Sequence, residues 1–194
     1  TDFGEKDHFA GAIKGAIYSE LPDVRIVDIS HSVSPFNISE AAYIIQNAYS
    51  SFPKGTIHVV GIDSELNPEN KHIAVELDDH FFICANNGIM SMIANIIAPK
   101  KIVEINIHDK IETSFPVLDV FVKVACHIAR GGTLEVIGKA MGGWGFWKGL
   151  WMTPIPMVSS TFLWRDMFQY FPLYSNGGSV DQSLRIMSID SATI

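Results

Sequence analysis

Phe52-Pro53-Lys54-Gly55-Thr56-Ile57-His58-Val59-Val60-Gly61-Ile62-Asp63 is the stretch that decides the fold. Proline and glycine in its first four positions mark a turn. Thr56 to Ile62 is then apolar and β-branched, the composition of a buried strand, and a carboxylate, Asp63, ends it. Just upstream, Asn37-Ile38-Ser39-Glu40 resembles a capping box, and Ala41, Ile44, Ile45 and Ala48 follow at helical spacing. Helix, tight turn and buried strand therefore follow one another within a short span.

The same alternation extends in both directions. Upstream, Asp7 is placed to cap a helix through about Glu20, with Phe9, Ile13, Ala16 and Ile17 on one face. Pro22 and Asp23 end it, and Val24 to Ile29 reads as a strand. Downstream, His72–Leu77 and Phe81–Ala85 read as strands joined at Asp78-Asp79, Gly88–Ile97 as a short helix and Lys101–Ile107 as a strand. Val117–Arg130 reads as a helix with Leu118, Phe121, Val122, Ala125 and Ile128 inward, stopped by Gly131-Gly132. Residues 1–139 are expected to form an α/β domain, with a mostly parallel sheet and helices on both faces.

Composition limits the function classes. The 194 residues suit one large domain, or one domain plus a partial second, and 47% apolar content is enough to build a core. Fourteen Lys and Arg against 21 Asp and Glu leave a net charge of -7, with no basic run, so a nucleic-acid partner is not expected. No apolar run of about 18 residues is present to span a bilayer, so no membrane partner is expected either. Cys84 and Cys126 lie in apolar surroundings outside any zinc-type spacing and read as buried free thiols. With no signal peptide, this fits a cytoplasmic protein. The chain opens at Thr1 inside what reads as a motif, and we expect a fragment.

In such a fold, ligands bind beyond the carboxyl ends of the strands. Polar residues fall at four of these ends: Asp2-Phe3-Gly4 with Asp7 nearby, Asp28-Ile29-Ser30-His31, Asp63-Ser64-Glu65, and Asn86-Asn87-Gly88. Asp7 equally serves as a helix cap, Asp28 and His31 as turn closers, and Asn87-Gly88 as a turn pair. Asp2 and Asp63 adjoin apolar stretches, where a carboxylate is costly unless paired or wet. Carboxylates there suit the vicinal hydroxyls of a ribose, and equally a metal ion. Asp2, Asp7, Asp28, His31 and Asp63 would then build a metal-dependent phosphoesterase site. The remaining histidines read as surface or packed side chains.

Several strings in order carry a resemblance: Thr1-Asp2-Phe3-Gly4 with Asp7 and Gly11-Ala12-Ile13-Lys14-Gly15; Val27-Asp28-Ile29-Ser30-His31-Ser32-Val33-Ser34-Pro35-Phe36; Phe52 to Val60; Asp63; and Asn86-Asn87-Gly88. Over residues 1 to about 139 the chain resembles the S-adenosylmethionine (SAM) hydroxide adenosyltransferases, or SAM hydrolases, a family that includes SAM-dependent chlorinases and fluorinases. The resemblance implies an N-terminal α/β domain, a β-rich C-terminal domain and a homotrimer, with the substrate between subunits. It implies attack of water or hydroxide, or of a halide, at C5′ of SAM, releasing methionine. Adenosine or a halo-adenosine remains. No metal or other cofactor is implied, SAM itself being the substrate. Asp2 matches the aspartate that binds the ribose hydroxyls, Phe36 an aromatic near the substrate, and Asn87 the Asn-Gly lining the site. Asp63 matches the aspartate that handles water.

The chain departs from that family in three places. The family's water-positioning Arg falls on Asn70 and its His on Pro116, with Glu65 as a possible substitute base. The C-terminal Asp-x-aromatic-Gly-Asn motif is missing from residues 140–194, so the β-rich domain reads as absent or disrupted. All four tryptophans lie at or beyond Trp144, and none of the seven histidines does. Shifted by a base, the possible codons of Pro154-Ile155-Pro156-Met157-Val158 can spell Asp-Thr-Tyr-Gly, and we expect a frameshift near residue 140. The alternatives to SAM hydrolysis are a SAM-dependent halogenase and an inactive nucleoside-binding fragment.

Overall fold

The structure, a computed structural model, describes residues 1–94, 97–107 and 113–141. The expectations for residues 142–194, and for His108, lie outside the described residues. Helix α1 (Phe9–Glu20) and α2 (Ile38–Ala48) precede strand β1 (Ile57–Val59). Then come β2 (His72–Leu77), β3 (His80–Ala85), α3 (Ile89–Ala94) and β4 (Lys101–Ile105). A π-helical turn, Val117–Phe121, leads into α4 (Val122–Ala129), and a short α5 (Leu134–Ile137) leads into β5 (Gly138–Ala140).

The five strands form one sheet in the order β1-β3-β2-β4-β5. Its class is α/β, but the pairing is mixed rather than mostly parallel. Only β1 and β3 run parallel, with Ile57 opposite Phe81. The β2–β3, β2–β4 and β4–β5 pairs are antiparallel. The cause is local: Asp78 and Asp79 both take positive φ, 51° and 60°. That is the backbone of a two-residue hairpin turn, which returns β3 alongside β2 with Leu77 opposite His80.

Period-two alternation gives the sheet two buried faces. Ile73, Val75 and Leu77 of β2, with Phe82 and Cys84 of β3, pack under Ala41, Ala42 and Ile45 of α2 and Ile89 and Ile93 of α3. Ala74 and Ile83 point the other way, into a core with Ile13 of α1 and Phe121, Val124 and Ile128 of the α4 region. Burying Leu77 and Phe82 completely stabilises the fold by about 2 kcal/mol each.

Several local expectations change. Val24–Ile29 is extended but joins no ladder. Among the described residues, the backbone groups of Arg25 to Ile29 form no hydrogen bond, because no strand lies beside them. Asp7 does not cap α1; the cap position is His8, and the Asp7 carboxylate instead accepts the His8 amide at 2.7 Å. At α2 the capping reading holds: Asn37 Oδ1 accepts the Glu40 amide at 3.1 Å, and Glu40 reaches back to the Ser34 amide. Among the described residues no helix is long and apolar enough to cross a membrane.

Candidate functional site

Thr1 and Asp2 connect two loops. The Thr1 amine donates to Ser30 O at 2.8 Å, and the Gly4 amide donates to His31 O at 2.8 Å. Asp2 Oδ2 accepts the Phe36 amide at 2.9 Å, and its other oxygen forms no hydrogen bond to a described residue. Phe36 is held at φ 60°, and the residue is 73% exposed. A left-handed backbone at a bulky residue costs about 1–2 kcal/mol, and here the Asp2 carboxylate secures it. An acidic acceptor thus sits beside an aromatic surface open to solvent.

His31 is fixed from both ring nitrogens. Its Nε2 faces Asp28 Oδ1 at 3.1 Å, and its Nδ1 faces the Thr1 hydroxyl at 2.8 Å. Donation from Nε2–H to the carboxylate leaves Nδ1 to accept from the hydroxyl. Lys14 reaches the other Asp28 oxygen at 2.5 Å, and this cation, aided by His31, holds the Asp28 carboxyl below the usual range. Spacing in the sequence suggested Asp28 and His31 as either a turn or a site; the structure makes them a brace behind Thr1.

The second half of the site follows β1. Gly61 lets the chains approach: a Cβ there would lie 2.8 Å from Val117 and 3.2 Å from the Thr1 methyl, so the Thr1 end and the 61–63 end are neighbours. Asp63 takes φ 44°, a left-handed position that turns the chain out of the sheet. Asn87 Nδ2 donates to Ile62 O at 3.0 Å and its Oδ1 accepts the Ile89 amide, which ties the β3 end to the residue before Asp63.

Asn70 is buried, and its Nδ2 donates to the carbonyls of Asp63 and Glu65 at 2.8 and 3.2 Å. Fully buried His72 contacts Ser64 O at 2.8 Å. The loop after Asp63 is thus fastened from beneath by two side chains. Glu65 is exposed and only its carbonyl enters this network. Asp7 is exposed and bonded to His8, so the structure does not tie it to the others. Pro116 begins the π-helical turn before α4. Thr1 and His72 were not singled out from the sequence; their roles depend on partners about 30 and 8 positions away.

Among the described residues, no three or more His, Cys, Asp or Glu are grouped to hold a metal ion. The arrangement is a carboxylate with one oxygen engaged by the Phe36 amide, an exposed aromatic and a braced acidic loop at the ends of extended segments. These residues sit on an α/β domain, at the ends of its extended segments.

The SAM hydroxide adenosyltransferase N-terminal domain matches residues 1–138, and the chain belongs to that family. It is 35% identical over 111 residues to the (R)-S-adenosyl-L-methionine hydrolase of Methanocaldococcus jannaschii, covering 55% of this chain and 42% of that one. It is 22% identical over 168 residues to the fluorinase of Actinopolyspora mzabensis, covering 73% and 56%. Among solved structures it resembles an uncharacterized conserved protein of Thermotoga maritima, with TM-score 0.68, 30% identity and coverage of 73% and 56%. The chain spans 42% to 60% of the length of the first curated relatives it matches.

Proposed function

We propose that this chain forms the SAM-binding α/β part of an enzyme that hydrolyses SAM to adenosine and methionine. Water or hydroxide attacks C5′ of the ribose. The support is family membership, the hydrolase named among its relatives, and above all the Asp2 carboxylate beside Phe36. The sulfonium leaves as a neutral thioether, so no general acid is required at the leaving group. The protein's work is to align the nucleophile behind the C5′–S bond and to control water there. In this reading the free Asp2 oxygen accepts a ribose hydroxyl, Phe36 covers an apolar face of the ligand, and Asn87 holds the edge of the site. Asp63 orients the attacking water. The assembly is a homotrimer with its substrate between subunits.

A second reading, a nucleoside-binding domain without turnover, is favoured by Asn70. Its amide is already engaged with the Asp63 and Glu65 carbonyls, so it acts as a structural fastener at the position where the family has its water-handling Arg. Glu65 and His31 would then play no part in catalysis. The fluorinase likeness bears on a third outcome, halide as the nucleophile.

The test is incubation of the purified chain with SAM in metal-free buffer, with chromatography for adenosine, 5′-halo-adenosine and methionine, and calorimetry with adenosine. Adenosine above the spontaneous background, lost in Asp2→Ala, supports hydrolysis. Adenosine binding without release selects the second reading. Neither binding nor release overturns both.

A further inference from the structure

Asp2 lies in a turn that His31 grips on both sides. The Thr1 hydroxyl is 2.8 Å from His31 Nδ1, and the Gly4 amide donates to His31 O at 2.8 Å. One residue thus holds the position before Asp2 and the position two after it. Gly4 takes φ 73°, a left-handed conformation that glycine adopts without strain, and this lets the chain turn back onto His31. Phe3, between Asp2 and Gly4, is fixed separately. Its ring meets Phe9 at 5.6 Å and Phe115 at 5.3 Å, and those two meet each other at 5.2 Å, in tilted and edge contacts that suit aromatic pairs. The Asp2 carboxylate has less support. Its one hydrogen bond to a described residue is the one it accepts from the Phe36 amide at 2.9 Å. Its aim therefore depends on how firmly its neighbours in the chain are held.

His31 is itself oriented. Asp28 Oδ1 lies 3.1 Å from its Nε2, and Lys14 of α1 holds the other Asp28 oxygen at 2.5 Å. The carboxylate keeps a proton on Nε2, which leaves Nδ1 to accept from the Thr1 hydroxyl. The His31 side chain is only 17% exposed, against 43% for Asp28 and 35% for Lys14. Exposed ion pairs add little to stability, so the Lys14–Asp28 pair matters more for where it points the ring than for the energy it supplies. A line of polar contacts runs from α1 through Asp28 and His31 to the residue before Asp2.

We propose that His31 is a positioning residue for Asp2, acting through the Thr1 hydroxyl, with Asp28 and Lys14 setting its ring. Asp2 is thereby held where one oxygen secures Phe36 and the other is free for a ribose hydroxyl. Hydrogen bonds weaken steeply with angle, so a carboxylate that drifts loses both partners. The ligand half of this proposal rests on the ribose-binding reading above; the placement of Asp2 against Phe36 does not.

The test reads the Phe36 amide by NMR, because its proton shift and exchange rate report the bond to Asp2 with no ligand present. Asp2→Ala gives the signal of the broken bond. Thr1→Val removes the hydroxyl and keeps the methyl that lies by Gly61; Thr1→Ser does the reverse. His31→Phe keeps a ring without its nitrogens. Thr1→Val and His31→Phe should each move the Phe36 proton towards its Asp2→Ala position and speed its exchange about three- to tenfold, the effect of losing one hydrogen bond. The double variant should go no further than either single one, since both break the same link. Thr1→Ser should recover the parent signal, and the core amide of Phe82 should exchange as in the parent throughout. Adenosine affinity, by calorimetry, should follow the same order. The proposal is overturned if Thr1→Val or His31→Phe leaves the Phe36 amide unmoved, if Thr1→Ser behaves like Thr1→Val, if Phe82 exchange speeds alongside, or if Asp2→Ala itself leaves Phe36 unchanged. It is also overturned if the parent binds adenosine and Thr1→Val binds it equally well. If the amide responds as expected while the parent binds no adenosine, the positioning of Asp2 stands and the ribose reading falls.

Discussion

The Asp2 carboxylate accepts the Phe36 amide at 2.9 Å across 34 positions of sequence. This single bond joins the residue we propose as an acceptor for the ligand and the residue we propose as its aromatic surface. Because Phe36 is held at φ 60°, the bond also maintains a conformation the chain would not keep unaided.

Asp2→Asn keeps an oxygen for the Phe36 amide but removes the charge from the ligand side. A hydrogen bond to a charged group contributes about 1.5–3 kcal/mol, so adenosine affinity should fall about tenfold or more. The melting temperature should change little. Titration calorimetry and thermal melts separate the two; a variant that binds as well as the parent would remove Asp2 from the site.

Asn70→Ala removes a buried amide that donates to the Asp63 and Glu65 carbonyls. The expected loss is about 1–3 kcal/mol of stability, read from urea denaturation. If the variant is as stable as the parent, Asn70 is not the fastener of that loop.

His58 lies between Phe82, against which it stacks at 4.8 Å, and His80, whose Nδ1 is 3.2 Å from His58 Nε2. Burial, and secondarily the neighbouring His80, push its pKa down to about 4. The native state therefore holds His58 neutral while the unfolded chain takes up its proton near the ordinary value of about 6.5. This contribution to stability is complete above about pH 6.5 and is lost as pH falls from there towards about 4. The urea midpoint should drop across that window, and His58→Phe should flatten the drop.

Gly61→Ala places a methyl 2.8 Å from Val117 Cγ2 and 3.2 Å from the Thr1 methyl. Overpacking of this kind costs about 1–3 kcal/mol. Val117→Ala in the same chain should recover part of the loss, which melts of the single and double variants measure.

Both cysteines should be inert in the native state. Cys84 and Cys126 are completely buried, and burial raises both thiol pKa values. A thiol reagent should label neither in buffer and both in denaturant.

The local signals were legible without coordinates. The apolar run after Gly55, the Asn37 cap, the Asp78-Asp79 turn and the helical spacing before Gly131 each depend on residues a few positions apart, and each has its expected counterpart in the structure. Asp2, Asp63 and Asn87 were also legible as polar interruptions at the ends of apolar runs, since a carboxylate or amide there needs a reason.

The sequence by itself thus determined the α/β class, the element types and the polar residues that end them, because periodicity, capping and turn chemistry act over one or two turns of chain. Tertiary structure alone decided the rest. It set the mixed pairing of the sheet, left Val24–Ile29 outside the ladder, turned Asn70 inward onto the Asp63 loop, and set Asp2 against Phe36. Those outcomes depend on which edges meet and which donors find acceptors between segments far apart in the chain, and the spacing of residues along a sequence does not encode that.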